Sequence, residues 1–118
     1  VEGIWKMMQC NKPKDYILAT GEEHSVKEFA TLAAKLMGFN LVWKGLKPDE
    51  YAVDKNTKKI IIKKNNEYYR PSDVSFLKGD AKEAKQYLDW KPKIKFKELV
   101  KIMVEADKKR SLKGRILQ

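Results

Sequence analysis

Apolar residues recur at helical spacing in the first forty residues of the chain. The opening VEGIWKMMQC has the pattern of the end of a helix. Its apolar side contains Val1, Ile4, Trp5 and Met8. Ser25 and Glu28 match the capping box, in which a hydroxyl and a carboxylate each bind a free backbone N–H at a helix start. Since Gly38 suits a helix end, we predict a second helix between Ser25 and Gly38.

The second half of the chain has the pattern of two more helices. Asp80 and Glu83 form a similar N-terminal pair, and Pro92 ends the helix that follows them. A final helix is predicted over about residues 96–110, and it runs into a basic tail that begins at Lys108. The spacing therefore predicts three or four helices in all.

Short β-prone runs lie between the predicted helices. Residues 15–20 (DYILAT), closed by Gly21, predict a buried strand. Residues 40–43 predict another strand, and residues 49–64 predict a β-hairpin with its turn at 54–57. The expected fold class is α/β with an α+β-like arrangement, in which short strands and a hairpin pack with three or four helices.

The chain is strongly basic, because 26 Lys and Arg residues against 16 acids give its 118 residues a formal charge of +10. Basic surfaces commonly bind nucleic acid. However, the excess is concentrated in residues 81–118, and almost all of the bases are Lys, whereas base and phosphate recognition favours Arg. A solvated Lys-rich surface is therefore favoured, and a stand-alone basic module that binds nucleic acid through its tail is the alternative.

Few residues are available for metal binding or nucleophilic catalysis. Cys10 is the single cysteine and His24 the single histidine, so we predict neither a disulfide nor a metal site. We expect Cys10 to be half-buried and His24 to lie in a surface loop or helix cap. The core is expected to include Trp5, Trp43 and Trp90. Single-cysteine usage and the lack of a long apolar run predict a cytoplasmic protein without a membrane segment.

Short motifs of dehydrogenases and metal sites occur in unfavourable contexts. Tyr51–Lys55 and Tyr87–Lys91 both have the Tyr-x-x-x-Lys spacing of a proton-transfer pair, but one lies in the predicted hairpin and the other crosses a helix end. Asp49 and Glu50 lack the further ligands of a metal site. No glycine-rich nucleotide loop occurs. We therefore predict no catalytic residue in this chain.

Arg70 differs from the other basic residues. It is the only Arg outside the tail, and it precedes Pro71, which excludes the helical conformation at Arg70. A guanidinium held in this way suits bidentate binding of a pyrophosphate. Asp73 could accept hydrogen bonds from sugar hydroxyls. From the residues alone, an Arg that bridges two loops is an equal alternative.

Five strings of the chain form a distinctive combination: YILATGEEHSVKEF at 16–29, YRPSDV at 69–74, Gly79-Asp80, LDWKP at 88–92 and FKELV at 96–100. Together they resemble the GDP-mannose 4,6-dehydratase family of extended short-chain dehydrogenases/reductases. The first two point to the GDP-mannose branch, whereas the last two are shared by many nucleotide-sugar epimerases and dehydratases. The resemblance covers residues 1–107 and leaves residues 108–118 as a basic tail.

The resemblance implies the C-terminal, substrate-binding portion of such an enzyme. Arg70 would contact the diphosphate of GDP-mannose, and Asp73 would contact the ribose region. NADP would be bound by an N-terminal Rossmann domain that is absent from these residues, so this chain alone would not convert GDP-mannose. The resemblance also implies a homo-oligomer for the full-length enzyme. A related GDP-sugar epimerase or reductase is the alternative within the superfamily.

Three positions depart from the family pattern. The family usually has Glu at the position of Asp73. The Asp73 side chain is one methylene shorter, so its carboxylate has a shorter reach. It usually has Asp at the position of Ser75 and commonly Gly at the position of Asp89. We expect the last two differences to affect local structure.

Overall fold

The computed structural model describes residues 1–46, 49–68, 70 and 77–112, and the chain divides into two compact units. Unit 1 consists of Val1–Glu23 and Val74–Lys95, and unit 2 consists of His24–Asp73 and Phe96–Gln118. The described elements are α1 (Glu2–Met8), α2 (Val26–Leu36), β1 (Leu41–Lys44), β2 (Tyr51–Asp54), β3 (Ile60–Lys63), α3 (Lys82–Leu88) and α4 (Phe96–Leu112). Helices combined with a small antiparallel sheet confirm the predicted fold class.

In unit 1, α1 contacts α3 and approaches its neighbours closely at Gly3. A Cβ at position 3 would lie 2.5 Å from Leu18 Cδ1 and 3.2 Å from Trp90 Nε1. α3 contributes Ala84 and Leu88 to the buried core. The close packing of α1 therefore depends on the missing side chain of Gly3.

The opposite side of α1 is open to solvent. Ile4, Trp5 and Met8 are all exposed, with Trp5 at 61%. The prediction that Trp5 belongs to the core is therefore wrong, because the helix buries its Gly3 side instead. Trp43 and Trp90 are half-buried.

The prediction of a strand at residues 15–20 is wrong for the described structure. No described segment pairs with these residues, and Ile17 is 58% exposed. Ala19 lies against the backbone of Gly79, where an added Cβ would be 2.5 Å from the Ala19 Cβ. The side chains favour an extended backbone, but a strand also needs a neighbour that completes the hydrogen-bond ladder.

The start of α3 differs from the prediction, because the helix begins at Lys82 with Ala81 as its N-cap and no side-chain hydrogen bond from that cap, and Asp80 lies one residue further out. The Asp80 carboxylate accepts a hydrogen bond from the Lys82 N–H at 3.0 Å, and this bond lowers the pKa of Asp80. Glu83 lies 3.0 Å from Lys14 Nζ instead of returning to the backbone. The expected role of Glu83 in the cap is therefore wrong, since Lys14 holds its carboxylate.

In unit 2, the sheet has the order β1-β2-β3, and both strand pairs are antiparallel. Trp43 pairs with Ala52, which in turn pairs with Ile62. Ala52 and Val53 are buried in the core of the unit. The predicted hairpin is confirmed, and the strand predicted at 40–43 lies beside it as β1.

Helix α2 packs against α4 and β1 and is capped at both ends. The Ser25 hydroxyl accepts a hydrogen bond from the Glu28 N–H at 3.0 Å, as predicted. At the other end Gly38, with φ of +90°, allows the Phe39 N–H to reach the Ala34 carbonyl at 2.9 Å. This pattern is the Schellman motif, which satisfies the last carbonyls of a helix.

Helix α4 is longer than the sequence predicted. It continues from Phe96 to Leu112, past the start assigned to the basic tail, and it buries Val100 completely. Lys108 donates from Nζ to the Leu36 carbonyl at the end of α2, at 2.9 Å. A cation is favoured at a helix C-terminus, so Lys108 stabilises the contact between two helices. Among the described residues, no helix is long and apolar enough to cross a membrane.

Candidate functional site

Arg70 is the predicted site residue that the structure describes. It is exposed, and its backbone belongs neither to a helix nor to a strand. Asp73 lies outside the described residues, as does Pro71. The structure therefore presents the Arg70 guanidinium to solvent, where a charged ligand could reach it, and the role of Asp73 stays a prediction.

A hydrogen-bonded turn leads from β3 to Arg70. The Asn65 side-chain oxygen accepts a hydrogen bond from the Glu67 N–H at 3.0 Å. The Asn65 carbonyl accepts another from the Tyr68 N–H at 3.2 Å, within a 3₁₀ turn at Asn66–Tyr68. Asn favours such turns because its side chain binds a backbone N–H two residues later. Hydrogen bonds therefore shape the backbone at Asn65–Tyr68, a few residues before Arg70 in the sequence.

Glu50, directly before β2, binds two lysines from distant parts of unit 2. Lys27 Nζ of α2 lies 2.9 Å from one carboxylate oxygen, and Lys64 Nζ lies 2.9 Å from the other. The Glu50 side chain is only 15% exposed. Hydrogen bonds from Lys27 and Lys64 lower the pKa of Glu50 to about 2, so the carboxylate is charged at neutral pH. In the sequence, Glu50 stands out only beside Asp49 as an incomplete set of metal ligands, and nothing there indicates this arrangement.

Lys27 also contacts the aromatic ring of β1. Its Nζ lies 5.0 Å from the centroid of the Trp43 ring, within the range of a cation–π interaction. The Trp43 Nε1–H donates to the Thr31 hydroxyl of α2 at 2.9 Å. These contacts hold Lys27 between α2 and β1. Lys27, Thr31 and Trp43 form one wall of a groove of about 410 Å³. Lys35 and Lys97 also line the groove, together with Glu28 and the apolar side chain of Leu32.

His24 lies in the loop before α2, as predicted, and is held by two contacts. Its Nδ1 is 3.0 Å from a Glu28 carboxylate oxygen, and its ring stacks on Phe96 with centroids 3.7 Å apart. Its side chain is 26% exposed. Because His24 engages the Glu28 carboxylate, only the Ser25 half of the predicted capping box is confirmed.

The remaining candidate residues lie where the sequence predicted. Cys10 is half-buried. Tyr51–Lys55 lies in β2 and its turn, and Tyr87–Lys91 crosses the end of α3, so neither string occupies one continuous helix face. Among the described residues, no group of three or more potential ligands could hold a metal ion.

Comparison with known proteins gives a continuous match. The sequence profile of GDP-mannose 4,6 dehydratase matches residues 1–103. The GDP-mannose 4,6 dehydratases of Cricetulus griseus and Homo sapiens are each 45% identical over 107 residues, which cover 91% of this chain and 29% of each relative. GDP-mannose 4,6 dehydratase 1 of Arabidopsis thaliana is 41% identical over 117 residues, covering 99% of this chain and 28% of the relative.

These matches assign the chain to the class of nucleotide-sugar dehydratase sequences. The chain belongs to the GDP-mannose 4,6-dehydratase family. It spans less than a third of the length of the relatives above. The resemblance seen in the sequence is thereby confirmed, and the matched range includes Arg70 and Asp73.

Proposed function

We propose that these residues form the GDP-mannose-binding portion of a GDP-mannose 4,6-dehydratase. The observation that carries the proposal is the match through residues 1–103, with 45% identity to dehydratases over 107 residues. The matched range runs through both units, so the similarity is not limited to one helix or one motif. The substrate would be a GDP-hexose, and the net reaction would be the loss of one water molecule.

Arg70 is proposed to bind the diphosphate of the substrate. Its guanidinium is exposed and permanently charged, and its parallel N–H groups match two phosphate oxygens. Asp73 is proposed to accept hydrogen bonds from the ribose hydroxyls. Both roles rest on the family resemblance and on the chemistry of these side chains.

The reacting groups are proposed to lie outside these 118 residues. In such an enzyme bound NADP supplies the hydride chemistry, by which a hydride leaves C4 of the hexose and is returned to C6 after water is lost across C5 and C6. We assign no NADP contact and no catalytic residue within the described part of the chain. The chain alone is therefore expected to convert no GDP-mannose. A reducing compartment such as the cytoplasm suits its single half-buried cysteine.

The exposed side of α1 is proposed to contact the Rossmann domain of the enzyme. Ile4, Trp5 and Met8 form an exposed apolar strip, while Gly3 on the other side of the helix is buried. A helix that is apolar on two sides is usually covered on both. The relatives are more than three times as long as the matched segment, so they contain the residues that could cover this strip.

The decisive experiment is a titration of GDP-mannose into the natural protein that carries these residues, followed by product analysis. Arg70→Ala should weaken binding by ~2 kcal/mol, or about 30-fold, because a charged contact is lost. The affinity of Arg70→Lys for GDP-mannose should lie between those of the unchanged protein and Arg70→Ala, since Lys keeps the charge but loses the bidentate geometry. Arg110→Ala is the matched control, because Arg110 pairs with Asp107 on α4 at 2.9 Å.

The product distinguishes this proposal from its alternatives. A 4-keto-6-deoxy GDP-sugar formed without net consumption of NADP supports the dehydratase. An epimerised or reduced GDP-sugar would overturn the reaction while keeping the substrate class. Unchanged affinity in Arg70→Ala would overturn the role of that residue. Salt-sensitive binding to RNA that disappears when residues 108–118 are deleted, without binding of GDP-mannose, would support a nucleic-acid module instead.

A further inference from the structure

Glu50 connects two parts of unit 2 that are far apart in the sequence. Each of its carboxylate oxygens binds a different lysine at 2.9 Å: Lys27 belongs to α2, and Lys64 directly follows β3. The carboxylate is much less exposed than either lysine, at 15% against 47% and 41%. A shielded carboxylate with two cations holds them more firmly than a solvated surface pair does.

The α2 side of this connection is held by several further contacts. Lys27 lies in the first turn of α2, directly after the Ser25 cap, and its ammonium also lies over the Trp43 ring. Trp43 is in turn bound to Thr31 of the same helix. Glu50 therefore ties Lys64 to a helix that is fixed at its N-terminus and against the sheet.

On the other side of the connection, Lys64 lies six residues before Arg70 in the sequence. Between the two residues, Asn65 closes the 3₁₀ turn at Asn66–Tyr68 through two hydrogen bonds. The segment is therefore fixed at one end by the Glu50 ion pairs and shaped in its middle by the turn. A bidentate contact needs its guanidinium in a narrow range of positions, and ordering the segment before binding reduces the entropy lost on binding.

We propose that Glu50, by binding Lys27 and Lys64 together, positions the segment that carries Arg70 for diphosphate binding. Glu50 is then a positioning residue, which acts through Lys64 without touching the substrate. This inference rests on the proposed role of Arg70, and it adds a determinant that the sequence does not reveal.

The test combines substrate binding with amide hydrogen exchange in the natural protein that carries these residues. Glu50→Gln should weaken GDP-mannose binding roughly fivefold and should accelerate exchange at Glu67 and Tyr68, whose amides close the turn. Exchange at Phe39, in the Schellman motif of α2, should stay unchanged. Glu83→Gln is the matched control, since it removes one carboxylate from an exposed ion pair in unit 1 and should change neither measurement.

Variants of Lys64 separate positioning from a general loss of structure. Lys64→Met should reproduce both effects of Glu50→Gln, whereas Lys64→Arg should restore binding because it keeps a cation at the carboxylate. These two variants also decide the matter if Glu50→Gln fails to fold. Equal exchange increases across the whole of unit 2 would show a structural role only and would overturn the proposal.

The outcomes also separate this inference from the proposed function. If Arg70→Ala weakens binding but Glu50→Gln and Lys64→Met do not, positioning is overturned and the diphosphate contact stands. If Arg70→Ala has no effect, the diphosphate contact is overturned. The exchange measurement then still shows whether Glu50 orders the turn before Arg70.

Discussion

The two units of the chain differ in how completely their described backbone groups pair, while both units expose large apolar side chains. In unit 2 the three strands pair with one another, and α2 is capped at both ends. In unit 1 the β-prone residues 15–20 pair with no described strand, and the apolar side of α1 around Trp5 is exposed. Among the described residues, unit 2 therefore has the more complete backbone pairing.

This difference shows which unit forms most of its stabilising contacts within itself. The groups that stabilise unit 2 come from residues within the unit, including the shielded carboxylates of Glu50 and Asp54. Unit 1 carries the exposed apolar side of α1 and the β-prone residues 15–20, which pair with no described strand, and both are suited to contacts beyond the described residues. We therefore expect substitutions to have their largest effects on stability in unit 2 and at the few tightly packed positions of unit 1.

The largest effect is expected at Asp54, which ends β2 and is only 2% exposed. Its carboxylate accepts hydrogen bonds from the Asn40 N–H, the Thr57 N–H and the Thr57 hydroxyl at 2.8–2.9 Å. Asp54→Asn leaves one acceptor oxygen and introduces an NH₂ group opposite these donors. The Tm of unit 2, followed by its NMR amide signals, should fall by about 10 °C or more.

The control for this prediction is Asp107→Asn, which removes an exposed carboxylate from α4 in the same unit. It should shift the Tm by less than about 2 °C, because exposed ion pairs contribute little. Equal shifts in the two variants would show that Asp54 does not hold the hairpin, and the contrast between the units would weaken.

The acid sensitivity of unit 2 is the second test. Hydrogen bonds from Asn40 and Thr57 lower the pKa of Asp54 from 3.8 to about 2, and the Lys27 and Lys64 contacts lower that of Glu50 from 4.5 to about 2. Because the folded-state pKa lies below the unfolded value, this stabilisation is present above about pH 4.5 and is lost as the pH falls toward 2.

Unfolding measured by circular dichroism at a series of pH values should therefore show a steep loss of stability between about pH 4.5 and 2. Asp54→Asn should make this loss shallower, since one of the two titrating groups is removed. A pH dependence that is unchanged in the variant would contradict the assignment of the acid transition to Asp54.

Interactions between residues close together in the sequence could be predicted, whereas interactions between distant residues could not. The Ser25 cap, the Gly38 helix end and the hairpin depend on residues close together in the chain, so their signals are visible in the sequence. The strand at 15–20 was wrong because pairing requires a partner that local propensity does not specify. Where a local pattern gave a wrong prediction, contacts between residues distant in the sequence determined the structure.

The same distinction applies to the candidate site. Arg70 could be identified because it is a rare Arg followed by Pro, and because it lies in a string resembling the family. Glu50 could not, because its partners Lys27 and Lys64 are 23 and 14 residues away and are two among many lysines. In a chain this rich in Lys, a specific ion pair has no distinctive local pattern.

In unit 1, Gly3 is one of two glycines at which an added Cβ would lie 2.5 Å from a neighbouring atom, and Gly3→Ala should destabilise this unit by about 1–2 kcal/mol. The new Cβ would lie 2.5 Å from Leu18 Cδ1, so the Leu18 side chain must move. The higher helix propensity of Ala offsets part of this cost. Urea unfolding monitored in unit 1 measures the effect, and a combined Gly3→Ala and Leu18→Ala variant should recover the overpacking part. A stabilised Gly3→Ala variant would show that α1 has room to shift.

A smaller and opposite effect is expected at Asp89, which follows α3 in the left-handed region with φ of 45°. Asp89→Gly should stabilise unit 1 by about 0.5–1 kcal/mol, because Gly adopts this conformation without strain and a carboxylate is unfavourable at a helix C-terminus. Lys58→Gly, at φ of 61° in unit 2, is the matched variant and should gain a similar amount. Asp89→Asn isolates the charge, and Asp89→Ala should not stabilise. Loss of stability in Asp89→Gly would show that the carboxylate makes a favourable contact.

The smallest effect, and the sharpest test of the comparison, is expected for Trp5→Gln. Trp5 is a large apolar residue, and burial of such a side chain normally makes its removal cost about 3 kcal/mol or more. At 61% exposure on the open side of α1, its replacement should change the free energy of unfolding of this chain by less than about 0.5 kcal/mol. Leu88→Gln, at a position 7% exposed on α3, should destabilise unit 1 strongly. Sedimentation or light scattering should also show that Trp5→Gln reduces self-association, since it interrupts the apolar strip.

If Trp5→Gln instead destabilises the chain as much as Leu88→Gln does, then α1 is packed on both sides by the chain itself. Unit 1 would then be as self-contained as unit 2, and the surface proposed to contact the Rossmann domain would not exist.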